Sequence, residues 1–465
     1  MTDYPAIVPY SSGPQPSSGP HVVIIGGGAS GVLMAVHLLT RQDRLFRVTL
    51  LEGRNVPGQG LAYSTLDPDH LLNTRAHNMS AFPEDPEHFL RWLQVQPSQA
   101  PVTGQCFVSR KVYGDYLADL MTPWLNGPEP QRLRVVRETA VRLQDGPRGV
   151  VVHLGGGNSI IGEIAILATG HVLERPDPEG VLLGAWDDPG PIDPQGQVII
   201  IGSGLSMVDR VISLLKAGHK GDILAVSRRG LLPRTHAPSS PLPIGHGDIP
   251  LGAPMSVLME WLRSLARRAE QRGGTWRDAI DGVRPHIKAI WRSLPPVERA
   301  RFLRHVATLW DVHRHRIPPA SAAIIDGALS SGQLRLLRGA FQGACRLSNG
   351  TATVNIRTSG SGETTQLDAG IVFDCRGVRR DPARHASPLI AGLLASGAAR
   401  IDPLNVGLDV DLSCRVIGQQ GQASDRLFAI GPVSRAAFWE TTAIPDIRDQ
   451  TAKLAARWSF AGAFG

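Results

Sequence analysis

Two glycine-rich turns, each set between a strand and a helix, constrain the fold of this chain more than any other feature. The segments VVIIGGGASGVLMA (22–35) and IIIGSGLSMVD (199–209) both read as a buried strand, a glycine turn and a helix. A second apolar strand follows each of them, at 47–51 and at 222–227. Strand, helix and strand within about 30 residues form the minimal β-α-β unit, whose two strands lie parallel in one sheet. The sequence therefore predicts an α/β chain with two parallel sheets.

The first turn has the spacing Gly26-x-Gly28-x-x-Gly31. A glycine at the first place permits the tight turn, one at the second lets backbone approach a diphosphate, and one at the third lets the helix pack closely on the strand. Glu52 stands 21 residues beyond Gly31, at the end of the next strand, where an acid accepts hydrogen bonds from a ribose diol. The pattern predicts a Rossmann-like dinucleotide site; the alternative is a glycine-rich turn with an accidental acid.

The second turn differs in ways that indicate another dinucleotide. It contains Gly202, Ser203, Gly204 and, at the place of the third glycine, Met207. Its second strand ends in Ser227, Arg228 and Arg229, with no acid. Serine and arginine bind a 2′-phosphate that an acid would repel, so this site is predicted to take NADPH rather than NADH. The alternative is a pair of surface arginines at a strand end.

The presence of two nucleotide sites of different specificity in one chain has a simple functional explanation. A first site that ends in Glu52 suits a bound FAD, and a second that ends in 227–229 suits the reductant that feeds it. Such an arrangement permits hydride transfer from a nicotinamide to a flavin, with the protein orienting the two cofactors.

At this point the sequence resembles the FAD/NAD(P)-binding flavoproteins related to flavin-containing and N-hydroxylating (class B) monooxygenases. The resemblance covers nearly the whole chain beyond its first 20 residues. Besides the two turns it rests on GLAY (60–63), LLN (71–73), Met79-Ser80, ATG (168–170), SRRGLLP (227–233), WDVHRHRIPP (310–319), DCRG (374–377) and GPVSRAAFWETTAIPDIRDQ (431–450).

The resemblance implies roles for particular residues. The ADP half of FAD would be held by Gly26, Gly28, Ser30, Gly31 and Glu52. Thr169 and Gly170 would lie where the chain crosses between domains. Gly431 and the helix after it would approach the isoalloxazine ring, and a helix N-terminus there suits negative charge on a reduced flavin.

Absent motifs argue against two related chemistries. Disulfide reductases of similar layout need two nearby cysteines after the first β-α-β unit, but Cys106 is alone in the first half of the chain. The four cysteines stand far apart, which predicts neither a disulfide framework nor a metal site and suits a reducing cytoplasm. The segment 180–193 lacks the histidine of the Baeyer–Villiger fingerprint, which weakens a ketone-oxygenating role.

Positive charge is concentrated in one stretch. Residues 256–316 hold 13 Arg and Lys against 6 Asp and Glu, which equals the net charge of +7 of the whole chain. Either these are solvated helix faces, or they form an electropositive wall that attracts an anionic substrate or cofactor phosphates. Within the stretch, His313, Arg314, His315 and Arg316 either complement a helix C-terminus or bind an anion and transfer a proton. His236 is a further catalytic candidate, near the nicotinamide.

We therefore expect a disordered tail (1–20), an FAD domain (21–185 and 365–465), and an NADPH domain (190–365) with a helical insertion (254–331). The expected activity is that of a cytoplasmic FAD-dependent, NADPH-consuming monooxygenase that uses O₂ to oxygenate a nucleophilic N or S of a small anionic substrate such as an amino acid. An oxidoreductase that does not activate O₂ and a non-catalytic flavoprotein remain alternatives. No metal, nucleic acid or membrane partner is expected, and a homo-oligomer is compatible with the sequence.

Overall fold

The structure is a computed structural model that describes residues 19–43, 45–54, 56–97, 101–146, 149–170, 180–348, 350–377 and 382–458. The predicted disordered tail lies outside the described residues, apart from its last two positions. None of the helices in the described ranges is long and apolar enough to span a membrane.

Strands account for the two predicted sheets and a small third one. They are β1 (His21–Ile25), β2 (Arg47–Leu51), β3 (Leu133–Val136), β4 (Ala140–Gly146), β5 (Gly149–Leu154), β6 (Ser159–Gly162), β7 (Ile164–Leu167), β8 (Leu182–Gly184), β9 (Val198–Ile201), β10 (Ile223–Ser227), β11 (Leu334–Arg346), β12 (Ala352–Thr358), β13 (Thr364–Ala369), β14 (Ile371–Asp374), β15 (Arg415–Ile417) and β16 (Ala423–Ala429).

Helices follow the strands and concentrate in the middle of the chain. They are α1 (Ala29–Leu39), α2 (His88–Gln94), α3 (Arg110–Asp119), α4 (Thr122–Leu125), α5 (Leu205–Lys216), α6 (Met255–Gln271), α7 (Trp276–Val283), α8 (Ile287–Ser293), α9 (Pro296–Arg301), α10 (Ala307–Arg314), α11 (Pro319–Ser330), α12 (Pro388–Ala395) and α13 (Ile444–Arg457).

The first sheet has the strand order β15-β16-β7-β1-β2-β3, with parallel pairing from β16 to β3. Residues 22–25 of its central strand β1 are apolar and buried, because both faces of the sheet are covered, by helices and by the small antiparallel sheet. Helices α1 and α13 pack together on this sheet. The separate antiparallel sheet β4-β5-β6 packs beside it.

The second sheet has the order β13-β12-β11-β10-β9-β14-β8. Strands β9, β10, β14 and β8 pair in parallel, and the long β11 continues into an antiparallel meander with β12 and β13. Strands β8 and β14 belong to this sheet, although the expected boundaries at 185 and 365 placed them in the FAD domain. The sheet boundary therefore lies before Leu182 and after Asp374, because both strands complete the second parallel sheet.

The helical insertion forms a core of its own, and that core includes a residue from the first domain. Helices α6 to α10 bury Leu258, Ile280, Trp291 and Trp310 together with Trp439, which follows the first sheet's strand β16. Trp291 stacks on Trp439, with ring centroids 4.8 Å apart. The insertion therefore joins the two domains instead of extending from one of them.

Polar contacts join the domains on the side of α5. The Arg110 guanidinium lies 3.0 Å from the carboxylate of the buried Asp209, and the Arg110 side chain is 11% exposed. The His70 ring lies 2.8 Å from the Ser213 hydroxyl, which also donates to Asp67. The two sheets are thereby held in one relative orientation.

Candidate active site between the two domains

The first glycine turn leaves a cradle at the start of α1. Gly26 has φ +109°, and a Cβ there would collide with the carbonyl oxygen of Ala168 at the end of β7. A Cβ on Gly31 would collide with the carbonyl oxygen of Gly26, so the helix start requires a glycine. Gly28 directly precedes α1, and a Cβ there would meet only Gly60, at 3.4 Å. The space over Gly28 and the free N–H groups of α1 fit a diphosphate.

The carboxylate of Glu52 is held in place beside this turn. It accepts hydrogen bonds from the backbone N–H of Gly27, at 3.1 Å, and of Arg54, at 2.9 Å. A cleft of about 330 Å³ opens next to it, lined also by Val56 and Gln59. The position suits the ribose of a dinucleotide whose diphosphate lies on the glycine turn.

Gly431 and Ser30 meet at the same place. The Gly431 N–H donates to the Gln450 side-chain oxygen over 2.8 Å, and a Cβ on Gly431 would collide with the Ser30 hydroxyl. The turn that begins at Gly431 therefore lies against the start of α1. Thr169 and Gly170 follow β7, and the described chain resumes near β8 in the second sheet, so this is where the chain crosses between domains.

The second glycine turn repeats the first. Gly202 has φ +119°, and a Cβ there would collide with the carbonyl oxygen of Cys375 at the end of β14. A Cβ on Gly204 would meet nothing within 4 Å, so the start of α5 is open toward a ligand. Met207 is fully buried in the sheet-helix core. The turn fits a second diphosphate.

Serine hydroxyls fix the loop after β10. The Ser203 hydroxyl donates to the carbonyl oxygen of Leu231 over 2.7 Å and lies 2.8 Å from the Ser227 hydroxyl. Ser227 in turn accepts the N–H of Gly230 at 3.0 Å. Part of the hydrogen-bonding capacity that was predicted for a 2′-phosphate is therefore used within the protein.

The two arginines after Ser227 have different surroundings. Arg229 donates to the carbonyl oxygens of Arg304, at 2.8 Å, and His305, at 2.9 Å. Both carbonyls belong to a π-helical turn over 302–306, where the ordinary hydrogen-bond pattern is interrupted. Arg228 is exposed to solvent. Arg228 is thus the better candidate for a phosphate, and Arg229 holds the insertion.

A cleft of about 610 Å³ lies between the two domains, lined in part by residues of the 431–450 segment. It is lined by side chains of both domains and of the insertion. Charged and imidazole residues dominate the lining: Arg75, His77, His236, Asp281, Arg284, Lys288, Arg314, Arg316, Glu440 and Asp446. Its volume lies in the range of small-molecule sites, which runs from about 300 to 1,000 Å³.

Arg314 and Arg316 reach this cleft, but each is already paired. The Arg314 Nε lies 3.2 Å from the carboxylate of Glu440, which also accepts the indole N–H of Trp310 at 2.8 Å. Arg316 forms a bidentate pair with Asp281, with N–O distances of 3.0 and 2.8 Å. Both arginines are buried. The predicted clamp on a substrate anion is therefore occupied by the protein's own carboxylates.

The two histidines of the same segment have different environments. The His313 ring lies 2.7 Å from the Leu309 carbonyl oxygen and edge-on to Trp276. Burial and the neighbouring Arg314 hold the pKa of His315 well below its usual value. Neither histidine is among the residues that line the cleft. The structure does not bring them to the site that the sequence suggested.

His236 does line the cleft. Its Nε2 lies 3.0 Å from the carbonyl oxygen of Asn73 in the first domain, and its ring packs on Phe107. Burial lowers the pKa of His236 to about 4. The imidazole is therefore neutral near pH 7, donating from Nε2 and keeping Nδ1 as an acceptor.

Several cleft residues were not predicted from the sequence. Asp281, Arg284 and Lys288 come from the insertion, whereas Glu440 and Asp446 come from the 431–450 segment. That segment carried a signal, since it belonged to the motifs of the resemblance. Two ion pairs in the cleft, Arg314–Glu440 and Lys288–Asp446, each join residues more than 100 positions apart in the chain. Sequence spacing therefore gave no indication of these pairs.

Comparison with known proteins finds a family match within the first domain. Residues 23–172 match a protein family described as FAD-NAD(P)-binding. No curated protein sequence matches this chain. The glycine cradle, the fixed Glu52 carboxylate and the Gly431 turn fit that description. Within the described ranges no group of metal-ligating side chains is found.

Solved structures share the fold over the whole chain. The cadaverine monooxygenase DfoA from Erwinia amylovora superposes with a TM-score of 0.63 at 11% identity, covering 97% of this chain and 96% of its own. Ornithine hydroxylase (PvdA) from Pseudomonas aeruginosa gives 0.59 at 13%, covering 95% and 99%. Thioredoxin reductase from Lactococcus lactis gives 0.50 at 14%, covering 95% and 99%. At such identities the likeness is one of fold, namely two Rossmann-like domains.

Proposed function

We propose, from the premise that residues 23–172 form an FAD-NAD(P)-binding domain, that this chain is an FAD-dependent, NADPH-consuming monooxygenase. Its substrate would be a small anionic molecule with a nucleophilic nitrogen or sulfur, such as an amino acid. The observation that carries the proposal is the cleft of about 610 Å³, which side chains of both domains line, including Glu440 and Asp446 of the 431–450 segment. The ornithine and cadaverine monooxygenases with this fold support oxygenation of an amine nitrogen.

The residues that would hold the cofactors follow from the two turns. Gly26, Gly28, Ser30, Gly31 and Glu52 would hold FAD, and Gly202, Ser203, Gly204, Ser227 and Arg228 would hold NADPH. Bound there, FAD would supply the redox chemistry that turns the reducing power of NADPH toward O₂, and these residues would hold and orient both nucleotides. The protein's part is to place both nucleotides and the substrate around one cleft.

Groups on the cleft wall would orient the substrate and manage its proton. A nitrogen attacks as a free amine, so an ammonium has to lose a proton first. Burial raises the pKa of Asp446, which makes its carboxylate a better proton acceptor on this wall. Neutral His236 would serve as a hydrogen-bond acceptor through Nδ1 and not as a cation. Asp446 lies 2.8 Å from Lys288, which keeps the carboxylate at the cleft.

Oxygen uptake tests the proposal. The purified, FAD-loaded protein is given NADPH and small amines, amino acids and thiols, and O₂ consumption, product and hydrogen peroxide are measured together. A monooxygenase consumes O₂ in proportion to product when the right substrate is present. Reduction of an artificial electron acceptor without substrate-dependent O₂ uptake would instead identify an oxidoreductase that does not activate O₂.

A further inference from the structure

The charges on the cleft wall do not cancel. The wall carries five cationic side chains, Arg75, Arg284, Lys288, Arg314 and Arg316, and three carboxylates, Asp281, Glu440 and Asp446. Three of the cations are matched one to one, because Arg314 pairs with Glu440, Arg316 with Asp281 and Lys288 with Asp446. Two arginines are left over.

Arg284 is the first of them. Its closest ion pair in the described part of the chain is to Asp281, at 3.9 Å. That carboxylate is already occupied, since it accepts both Arg316 nitrogens and the Ser239 hydroxyl. Burial and the charge of Arg314 lower the pKa of Arg284 to about 10, so the group remains a cation near pH 7. A half-buried guanidinium in this position has donors free for an anion.

Arg75 is the second, and it comes from the other domain. Its guanidinium lies over the Phe107 ring, 5.8 Å from the centroid, and makes one long hydrogen bond of 3.4 Å to the Ala237 carbonyl oxygen. Within the described ranges it forms no ion pair with a carboxylate. The aromatic contact orients the planar group while leaving most of its N–H donors free.

Resting on the function proposed above, we propose that Arg75 and Arg284 bind two anionic groups of one small substrate, so that the substrate is a dicarboxylate carrying the nucleophilic nitrogen. A guanidinium matches a carboxylate in bidentate fashion. The two arginines come from different domains and line the same cleft, so a ligand with two anionic groups can engage both. The three matched ion pairs hold the rest of the wall neutral, which confines the recognition of negative charge to these two positions.

Binding without turnover tests the inference independently of oxygenation. Succinate and its monoamide succinamate differ by one carboxylate and have nearly the same shape. Each is titrated by calorimetry into the oxidised, FAD-loaded protein without NADPH. Succinate should bind at least about tenfold more tightly, a difference of about 1.4 kcal/mol, because only succinate offers a second carboxylate for a charge-assisted pair.

Three variants locate the effect. Arg284→Gln and Arg75→Gln should each remove most of the preference for succinate while leaving flavin content unchanged. Arg263→Gln is the matched control, because Arg263 is an exposed arginine of the same insertion whose ion pair with Glu260 lies outside the cleft. It should keep the preference. Arg284→Lys should retain part of the preference for succinate that Arg284→Gln loses.

Each outcome decides something. Equal affinity of the wild type for the two ligands, or a preference that survives both glutamine variants, overturns the inference. If one variant fails to fold, the wild-type comparison and the other variant still decide. A succinate preference without any oxygenated product contradicts the proposed function alone. Oxygenation of lysine or ornithine by a protein with no succinate preference contradicts this inference alone.

Discussion

At the scale of single residues, the glycine motifs gave more information than the charged ones. Glycine roles follow from backbone geometry that is local to the turn, so spacing alone located Gly26, Gly31 and Gly202. The roles of Arg314 and Arg316 depend on Glu440 and Asp281, which the fold brings in from elsewhere. Sequence reasoning found the cations but could not find the carboxylates that neutralise them.

Substitutions at two glycines separate cofactor binding from folding. Gly28→Val should abolish FAD binding with the fold retained, because the position has only an ordinary contact with Gly60 and its side chain would occupy the diphosphate's place. Gly31→Ala should lose both FAD binding and the fold, since the alanine Cβ would collide with the Gly26 carbonyl oxygen. Flavin absorbance and circular dichroism of the two variants provide the measurement. A yellow Gly28→Val protein would contradict the assignment of the turn.

Cofactor preference should depend on one arginine more than on the other. Arg228→Ala should reduce the preference for NADPH over NADH by roughly tenfold or more, because a charge-assisted contact with the 2′-phosphate contributes about 1.5–3 kcal/mol. Arg229→Ala should mainly lower the melting temperature, because Arg229 caps the π-helical turn at 302–306. Flavin reduction rates at limiting NADPH and NADH measure the preference. A wild type that prefers NADH would overturn the assignment.

At the scale of elements, the β-α-β units were the most predictable part. The predicted strand, glycine turn and helix in 22–35 and the predicted strand at 47–51 agree with β1, α1 and β2, because apolar strands, glycine turns and an apolar helix leave few alternatives. Helix α3 was missed, since its sequence RKVYGDYLAD mixes polar residues, a glycine and aromatics without a clear apolar stripe. The strand β13 was missed for a related reason, because TTQLDA is polar on a largely exposed edge.

The packing of α1 on α13 should make stability depend on pH. The buried His37 ring bonds to the Thr451 hydroxyl at 2.9 Å and to the Ala81 carbonyl oxygen at 3.0 Å, and burial lowers its pKa to about 4. The unfolded chain, with an ordinary pKa near 6.5, binds a proton between these values that the folded chain does not. Stability should therefore fall as pH drops from about 6.5 to 4, by up to roughly 3 kcal/mol from this group.

The variant His37→Gln isolates that contribution. Glutamine retains a donor and an acceptor but does not titrate in this range. The difference in free energy of unfolding between pH 7 and pH 5 should be smaller in the variant than in the wild type. An unchanged difference would mean that other histidines with a lowered pKa, such as His315, account for the whole acid sensitivity.

At the scale of the whole molecule, the way in which the two domains and the insertion pack together could not be predicted from the sequence. Composition and motifs gave two nucleotide-binding units and a basic insertion. The insertion's core includes Trp439 of the first domain, and the cleft exists only where these parts meet. Contacts of that kind join residues far apart in the chain, so they follow from the assembled fold and not from local pattern.

The buried pair Arg110–Asp209 should fix the domains relative to each other. Arg110→Ala leaves a buried carboxylate whose pKa burial already raises, and removing one partner of such a pair costs roughly 3–5 kcal/mol. The melting temperature should fall, and hydride transfer from NADPH to FAD should slow while flavin content stays. Lys111→Ala is the control, because the neighbouring Lys111–Asp115 pair is exposed. Equal behaviour of the two variants would exclude a role for the buried pair.

The most direct test of the central claim uses isotopically labelled O₂. The FAD-loaded protein is incubated with NADPH and a metabolite extract under ¹⁸O₂, and new products are sought by mass spectrometry. The account predicts a product in which a nitrogen or sulfur carries one labelled oxygen, formed only with NADPH, and absent when Gly28→Val replaces the wild type. NADPH oxidation at an equal rate with and without O₂, and no labelled product, would contradict it.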